Sequence, residues 1–227
     1  MRTLGTLAAL SFLLASCGGG PERVPDNAPP ETTVSGRVQT WQTGAAGTVT
    51  LHPGLLPLAN APVDAAGNFN LTLPTGPLVE AQTRSIPETL EQGLSDLNCT
   101  SGGLTVSDSA ARGLLFFTLR AEGGGAGARE VVAATANKGA TSRSIDARAW
   151  LHVDRATRLG GQVNCRIEGT TLPVTLDVAT VPGWNMLRLS VTAGVGFGGL
   201  SVSGKVTRTL TDLNTWLTLD EVGKALQ

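Results

Sequence analysis

The chain has 227 residues, of which 41% are hydrophobic, 15% are charged and 4% are aromatic, and its formal net charge is −1. This apolar content excludes a wholly disordered chain, and the near-zero charge excludes the broad basic footprint of a nucleic-acid-binding protein. Three cysteines and two histidines are too few for a zinc finger or a multi-histidine metal centre. We therefore expect no nucleic-acid partner, no metal and no cofactor.

The N-terminal residues have the pattern of an export signal. Arg2 supplies a positive charge, and residues 4–15 form an apolar run that is long enough for a signal-peptide core and too short to span a bilayer. The run ends in Leu14-Ala15-Ser16-Cys17, which resembles the lipobox of bacterial lipoproteins. The resemblance implies that the sulfur of Cys17 receives a diacylglycerol, that cleavage follows Ser16, and that the new N-terminus is acylated. The alternatives are an ordinary signal peptide with an incidental cysteine and a buried N-terminal helix.

A flexible tether is predicted to follow the anchor. Residues 17–31 are rich in Gly, Pro and polar side chains and show no hydrophobic period. No stretch elsewhere reaches the 18 or so apolar residues that a membrane-spanning helix needs. The expected localisation is therefore the extracytoplasmic side of the cell envelope, with the acyl chains on Cys17 as the attachment to the membrane.

The two remaining cysteines, Cys99 and Cys165, are predicted to form a disulfide. An export signal implies an oxidising compartment, where leftover cysteines usually pair. Cys165 alternates with Val163 and Ile167, so its side chain is expected to point into the core. Two buried free thiols are the alternative.

Most of the chain alternates between apolar and polar residues, a pattern typical of strands with one face in the core and one in water. The clearest run is 69–73, and the others are 34–38, 49–51, 172–178, 187–191 and 202–206. Leu114 to Phe117 is apolar on both faces, which predicts a central strand covered on each side. Many short strands separated by turn signals predict a mainly β, antiparallel sandwich or barrel, and we favour the sandwich.

Two short helices and one long loop interrupt the strands. Ser85 and Glu88 have capping-box spacing, and so do Thr218 and Glu221; each pair predicts a helix start. Residues 121–141 are rich in glycine and poor in large apolar side chains, so we expect a long loop there, disordered or functional, with a strand at most over 130–134.

One strand carries residues that could perform chemistry. Arg148, Trp150, His152 and Asp154 alternate on one face, where Asp154 could orient His152 as a general base. No serine stands in a G-x-S-x-G elbow to supply the nucleophile. The competing interpretation is a solvated strand face with an Arg–Asp pair and one tryptophan that covers the sheet.

Two other patterns have simpler explanations. Gly194 to Gly199 matches G-x-G-x-x-G, but the alternation that follows predicts a strand instead of the helix that a dinucleotide site needs. The four tryptophans would form a sugar-binding platform only if several converged on one exposed face, and packing in a core or interface is their commoner role. They are Trp41, Trp150, Trp184 and Trp216.

Two stretches of the mature chain resemble known families. Val34-Ser35-Gly36-Arg37-Val38, together with the run from Val63 to Leu71, resembles the opening of carboxypeptidase-regulatory-like and transthyretin-like β-modules, which are non-catalytic sandwiches. The stretch from Trp150 to Asn185, with its VDR and GWN motifs, is similar to uncharacterised bacterial lipoproteins and implies no activity. The resulting division is a signal peptide (1–16), a lipidated cysteine and linker (17–31), a small β-module (32–80) and a larger β-sandwich unit (81–227). The alternative is that the last two form one continuous domain.

These features favour a non-enzymatic, lipid-anchored cell-envelope protein with a structural or partner-binding role. The alternative is a surface lipoprotein that binds a small molecule or a glycan. A third hypothesis is a hydrolase that uses His152 and Asp154.

Overall fold

The computed structural model describes residues 25, 27–53, 56–96, 98–167, 170–196 and 199–227. The predicted signal peptide, Cys17 and the first part of the predicted tether lie outside these residues. Within the described ranges, no helix is long and apolar enough to cross a membrane. The elements are β1 (Thr33–Val38), β2 (Gly47–Leu51), β3 (Ala59–Val63), β4 (Asn68–Thr72), α1 (Pro77–Glu80), β5 (Arg84–Ser85), α2 (Ile86–Asp96), β6 (Cys99–Ser101), β7 (Thr105–Val106), β8 (Arg112–Phe116), β9 (Thr118–Gly123), β10 (Ala126–Lys138), β11 (Ser142–Val153), β12 (Arg158–Ile167), β13 (Thr170–Ala179), β14 (Gly183–Gly196), β15 (Gly199–Arg208), β16 (Thr215–Thr218) and α3 (Leu219–Leu226).

The predicted mainly β fold is confirmed, and the strands lie where the alternation placed them. In β4, Phe69 and Leu71 are buried while Asn68, Asn70 and Thr72 are exposed. The other predicted runs lie inside β1, β2, β13, β14 and β15. The alternation of apolar and polar residues therefore predicted correctly which face of each strand is buried.

The favoured sandwich is replaced by a closed barrel of seven strands with further strands attached. Around the barrel the order is β16, β1, β4, β3, β2, β9 and β10, and β10 pairs again with β16. Closure depends on β16, which pairs in parallel with β1 and antiparallel with β10. Both edges that an open sheet would expose are thus paired. Alternation specifies which face is buried but not which edges meet, so it could not distinguish the two architectures.

The barrel draws strands from both of the predicted units. β1 to β4 lie in the predicted small module, whereas β9, β10 and β16 come from the part of the chain beyond residue 81. The division of the chain into these two units stays a prediction.

The long strand β10 belongs to the barrel and also to a second sheet. Residues 126–133 of β10 pair within the barrel, and residues 134–138 pair with β11. From β11 the sheet continues through β14, β15, β13 and β12 to the short edge strands β6 and β7. Helix α2 covers one face of this sheet, with Ile86 and Leu90 packed in a cluster that includes Leu151, Val153 and Leu187.

A series of aromatic side chains, two of whose contacts are stacked and two edge to face, joins the barrel to the second sheet, and we call it the aromatic ladder: Phe69, Trp216, Trp150, Phe116 and Trp184. Successive ring centroids are 5.3, 5.6, 5.2 and 5.4 Å apart. Phe69 and Trp216 belong to barrel strands, and the other three belong to the second sheet. The two parts therefore share one buried core.

The expectation of a long loop over residues 121–141 is wrong. The segment is the hairpin of β9 and β10, in which Ala126 pairs with Gly123 across a two-residue turn. Gly124 and Gly125 occupy that turn with φ of +68° and +77°, the backbone that primed hairpin turns require. A Cβ on Gly124 would also lie 2.5 Å from the ring of Trp41. Here the glycines serve a tight turn and a close packing contact.

Both predicted capping boxes are present. In α2, Ser85 Oγ accepts from the N–H of Glu88 at 3.4 Å while the Glu88 carboxylate accepts from the N–H of Ser85 at 3.2 Å. In α3, Thr218 and Glu221 exchange the same pair of bonds. These helix starts depend on residues three apart, so they were readable from local sequence.

The predicted disulfide between Cys99 and Cys165 is confirmed. The two residues stand directly opposite each other on β6 and β12. The bond therefore fastens the short edge strand, and α2 before it, to the second sheet.

The last part of the predicted tether is bound to the fold. The Arg208 side chain donates to the carbonyl oxygens of Ala28 and Pro29 at 2.8 and 3.1 Å, and the N–H of Glu31 donates to the carbonyl of Trp184 at 2.8 Å. The chain is thus held to the β-structure from about residue 28 onward.

Candidate functional site

A concave surface with partly apolar walls lies between α1, α2 and β8, and we call it the β8 groove. Its volume is about 720 Å³, within the range typical of ligand sites. Leu114, Leu115 and Phe117 form its floor, and Leu56 and Leu78 stand at its rim. Leu56 and Leu78 are 70% and 69% exposed. Two leucines so exposed beside one groove are unusual for a surface with no partner.

Glycines let the helix and the strand approach each other along this groove. A Cβ on Gly93 of α2 would lie 2.7 Å from the Leu115 side chain, and one on Gly113 of β8 would lie 2.6 Å from Ile86. Among the residues that line the groove within the described part of the chain, Arg84 is the one with a formal charge. The lining of the groove is thus a mixture of apolar residues, one arginine and four uncharged polar residues, Gln82, Thr83, Thr89 and Gln92.

A smaller pocket of about 370 Å³ contains part of the predicted chemical site. His152 and Asp154 line it together with Glu80, Thr83 and Arg112. Thr83 also lines the β8 groove, so the two cavities are neighbours. The structure brings His152 and Asp154 to one pocket.

His152 and Asp154 do not form a general-base pair in this pocket. His152 is 8% exposed, its ring meets Trp184 edge to face at 5.1 Å, and its Nδ1 is buried with no hydrogen-bond partner among the described residues. The Asp154 carboxylate accepts from the N–H of Arg112 at 2.8 Å and from the Arg155 side chain. Burial acts to raise the pKa of Asp154, but these bonds outweigh it and the pKa lies below its ordinary value.

The interpretation of this strand face as solvated is wrong. Arg148 and Trp150 are 3% and 2% exposed because the barrel covers the face. Arg148 does not pair with Asp154: its partner is Asp146, which also binds Arg188 at 2.8 Å. Arg148 Nε donates to the carbonyl of Thr211 at 2.8 Å. Arg148 therefore anchors the segment that leads into β16 and does not contribute to a site with His152.

We expect His152 to make stability depend on pH below neutrality. Burial lowers its pKa, and the carboxylates of Asp154 and Glu80 oppose this shift without cancelling it. In the unfolded chain the imidazole titrates near its ordinary value of 6.5, so between 6.5 and the lower folded-state pKa the unfolded chain binds more protons. The free energy of unfolding should therefore fall as pH drops through 6.5 towards the folded-state pKa, with no contribution well above that window.

Urea unfolding of the native chain and of His152→Phe over this pH range measures the effect. Phenylalanine keeps a ring against Trp184 but cannot titrate. Glu31, whose pKa is raised by burial and by Asp212, changes stability in the opposite direction, and it is present in both proteins, so their difference isolates His152. A difference that stays constant with pH would contradict the assignment.

The tryptophans do not form an exposed platform. Trp41, Trp150, Trp184 and Trp216 are between 0% and 6% exposed. Three belong to the aromatic ladder, and Trp41 fills the barrel interior with its Nε1 donating to the carbonyl of Ala45 at 3.0 Å. Sugar binding through stacked tryptophans would need these side chains on the surface.

The described residues contain no cluster of three or more metal-ligating side chains. Comparisons with protein-family models, with curated proteins and with solved structures gave no match. The site is therefore argued from its own geometry.

The β8 groove had no signal in the sequence. Leu56 and Leu78 each stand beside a proline and other apolar residues with no regular period, and α1, which carries Leu78, is too short for a helical pattern. Leu115 and Phe117 were assigned to a central strand covered on both sides. In the structure β8 lies between β11 and the two-residue strand β5, so most of its outer edge borders the groove.

Proposed function

We propose that the protein is a lipid-anchored cell-envelope protein without enzymatic activity, whose role is to bind a partner. The observation that carries the binding role is the β8 groove with Leu56 and Leu78 exposed at its rim. The lipobox resemblance at Cys17 supports the anchor. The filled barrel and the aromatic ladder supply a rigid support for such a surface.

The tether limits how far the groove can stand from the membrane. Pro25, where the described chain begins, is eight positions beyond Cys17, and a fully extended chain of that length spans about 28 Å. Arg208 holds the chain just beyond this point, at Ala28 and Pro29. The folded part is therefore confined to a layer close to the bilayer surface, where it can meet envelope partners.

Binding of a small molecule is the second candidate function. The volume of the β8 groove favours it, because it falls in the range of known ligand sites. The hypothesis of glycan binding required exposed tryptophans, and all four tryptophans are buried. The hydrolase hypothesis has His152 and Asp154 in one pocket but no hydrogen bond between them among the described residues. If His152→Ala abolished a hydrolytic activity of the native protein, that hypothesis would replace ours.

The anchor is tested by the intact mass of the native protein extracted from membranes. We expect a chain that starts at Cys17 and carries a diacylglycerol and an N-acyl group. Cys17→Ala should leave the membrane fraction while it keeps the same thermal unfolding. A native chain that carries no lipid would overturn the anchor.

The binding role is tested by a photo-crosslinking residue at Leu78, with the same residue at Leu219 as the matched control. Leu219 is 61% exposed and lies on α3, outside the residues that line the groove. In intact cells we expect a discrete protein adduct from position 78 and not from position 219. Equal adducts from both positions, or none from either, would contradict a partner at the groove.

A further inference from the structure

The predicted tether enters the barrel at the end where Leu56 and Leu78 are exposed. β1 begins there at Thr33, which pairs with Thr72 at the end of β4. β4 is antiparallel to β3, and β3 is antiparallel to β2, so β3 begins and β2 ends at the same end of the barrel. The connection from β2 to β3 carries Leu56, and the chain after β4 carries Leu78. The entry of the chain and the two leucines therefore share one end of the barrel, which we call the tether end.

Contacts around Trp184 hold the last tether residues close to α1. The N–H of Glu31 donates to the carbonyl of Trp184 at 2.8 Å, and Trp184 Nε1 donates to the carbonyl of Pro74 at 2.7 Å. Helix α1 begins three positions after Pro74. Val79 of this helix packs in the barrel core, whereas its neighbour Leu78 is exposed. The helix therefore covers the tether end with Leu78 on its outer side.

The opposite end of the barrel carries a leucine that is comparably exposed. β16 runs parallel to β1, with Trp216 beside Val38 at the end of β1, and ends two residues further on at Thr218. Leu219 follows at the start of α3 and is exposed. Because Leu219 is separated from the tether end by the length of the barrel strands, it is the reference position for a contact that depends on one end.

The proposed anchor brings the tether end to the bilayer. The chain from Cys17 to Pro25 spans at most about 28 Å, and Arg208 and Trp184 hold the residues that follow Pro25 to the fold. Exposed leucine side chains at this distance gain free energy when they leave water for the boundary between headgroups and acyl chains. The end of the barrel that the anchor draws to the membrane is thus the end with two such side chains.

Charged side chains near the leucines limit the depth of the contact. Glu80 lies two positions after Leu78 and is exposed, and Arg84 lines a polar pocket with Glu88 and Glu91. Charged groups are costly to place in hydrocarbon, so these side chains stay among the headgroups. Three carboxylates beside one guanidinium give no net attraction to anionic lipids. The contact is therefore shallow and depends on the leucines.

We propose that the tether end of the barrel rests on the bilayer, with Leu56 and Leu78 at the boundary between headgroups and acyl chains. This second contact fixes the orientation of the barrel, which a flexible tether by itself leaves free. The β8 groove, whose rim these leucines form, opens at the membrane surface, and a partner meets it there. The proposal rests on the anchor at Cys17 and goes beyond the partner-binding role.

The test uses the full acylated chain in phosphatidylcholine liposomes, with an environment-sensitive fluorescent amino acid in place of Leu56, Leu78 or Leu219. Part of the lipid carries a nitroxide quencher, either near the headgroup end or near the methyl end of an acyl chain. We expect the shallow nitroxide to quench the emission at positions 56 and 78 by about half, and the deep nitroxide to quench it much less. Position 219 should keep its emission with either lipid.

A second substitution shows that the two leucines act together. With the fluorescent residue at position 56, Leu78→Asp should reduce the quenching by the shallow nitroxide about threefold, because an aspartate opposes transfer out of water. Leu219→Asp is the matched control and should leave the quenching unchanged. Both leucines are exposed, so both variants are expected to unfold at the same temperature as the parent chain.

Emission at positions 56 and 78 that neither nitroxide quenches, or equal quenching at position 219, would overturn the proposal. A native chain without lipid on Cys17 would remove the anchor and this orientation with it, and the intact mass identifies that case separately. The chain can also be acylated and crosslink from position 78 to one protein in cells, yet remain unquenched in liposomes. In that case the partner-binding role stands and the bilayer contact alone is wrong.

Discussion

Replacing Cys99 and Cys165 together with alanine is expected to lower the free energy of unfolding by about 4 kcal/mol. The bond joins residues 66 positions apart, and a cross-link of that span removes much of the conformational freedom of the unfolded chain. Within the described residues, β6 and β12 share three ladder pairs, one of which is the pair of cysteines itself. We expect the variant to lose its protection from hydrogen exchange first at β6 and at the C-terminal end of α2.

Urea unfolding of the double variant with and without a reducing agent measures this contribution. The native protein with reductant is the matched control, because it keeps both cysteine side chains and loses only the bond. Reduced native protein and the variant should agree closely in stability. If reduction left the native protein as stable as before, the disulfide would not be a stabilising element of this fold.

Replacing Trp150 with alanine is expected to cost about 4 kcal/mol of folding free energy, the range for a large aromatic residue removed from a core. The ring lies between those of Trp216 and Phe116, nearly parallel to both, with interplanar angles of 10° and 9°. Its loss leaves a cavity at the junction of the barrel and the second sheet. Both parts should therefore lose stability together in a single unfolding transition.

Trp150→Phe provides the matched comparison. The indole Nε1 of Trp150 is buried without a hydrogen-bond partner among the described residues, so a phenyl ring removes a polar atom that gains nothing from burial. We expect this variant to lose about 1 kcal/mol, well below the loss for alanine. Equal losses for the two variants would show that ring stacking does not hold the junction.

Features encoded by neighbouring residues were predictable from the sequence. Ser85 with Glu88 and Thr218 with Glu221 marked two helix starts because a capping box needs only residues three apart. The strands followed from alternation because burial on one face is a local pattern. The disulfide followed because two cysteines remained in a chain with a predicted export signal.

Predictions failed where one local pattern allows two structures. The glycines of residues 121–141 permit a loop and equally permit the tight turn of the β9–β10 hairpin. The face of Arg148 and His152 has the polar composition of a solvated strand, yet the barrel covers it. The composition of a strand face is compatible with more than one environment, and the elements that pack against the strand decide whether the face is buried or exposed.

The sequence by itself determined the strands, the helix starts, the pairing of the two cysteines and an expected anchor at Cys17. Only the tertiary structure decided that the sheet closes into a barrel. β1 and β16 pair although they are separated by more than half the chain, and the sequence of neither strand identifies the other as its partner. The same holds for the β8 groove, because β5 pairs with only two residues of β8 in the described part of the chain. Which strand edges are paired depends on the whole fold, so a local sequence pattern does not predict where a groove lies beside a strand.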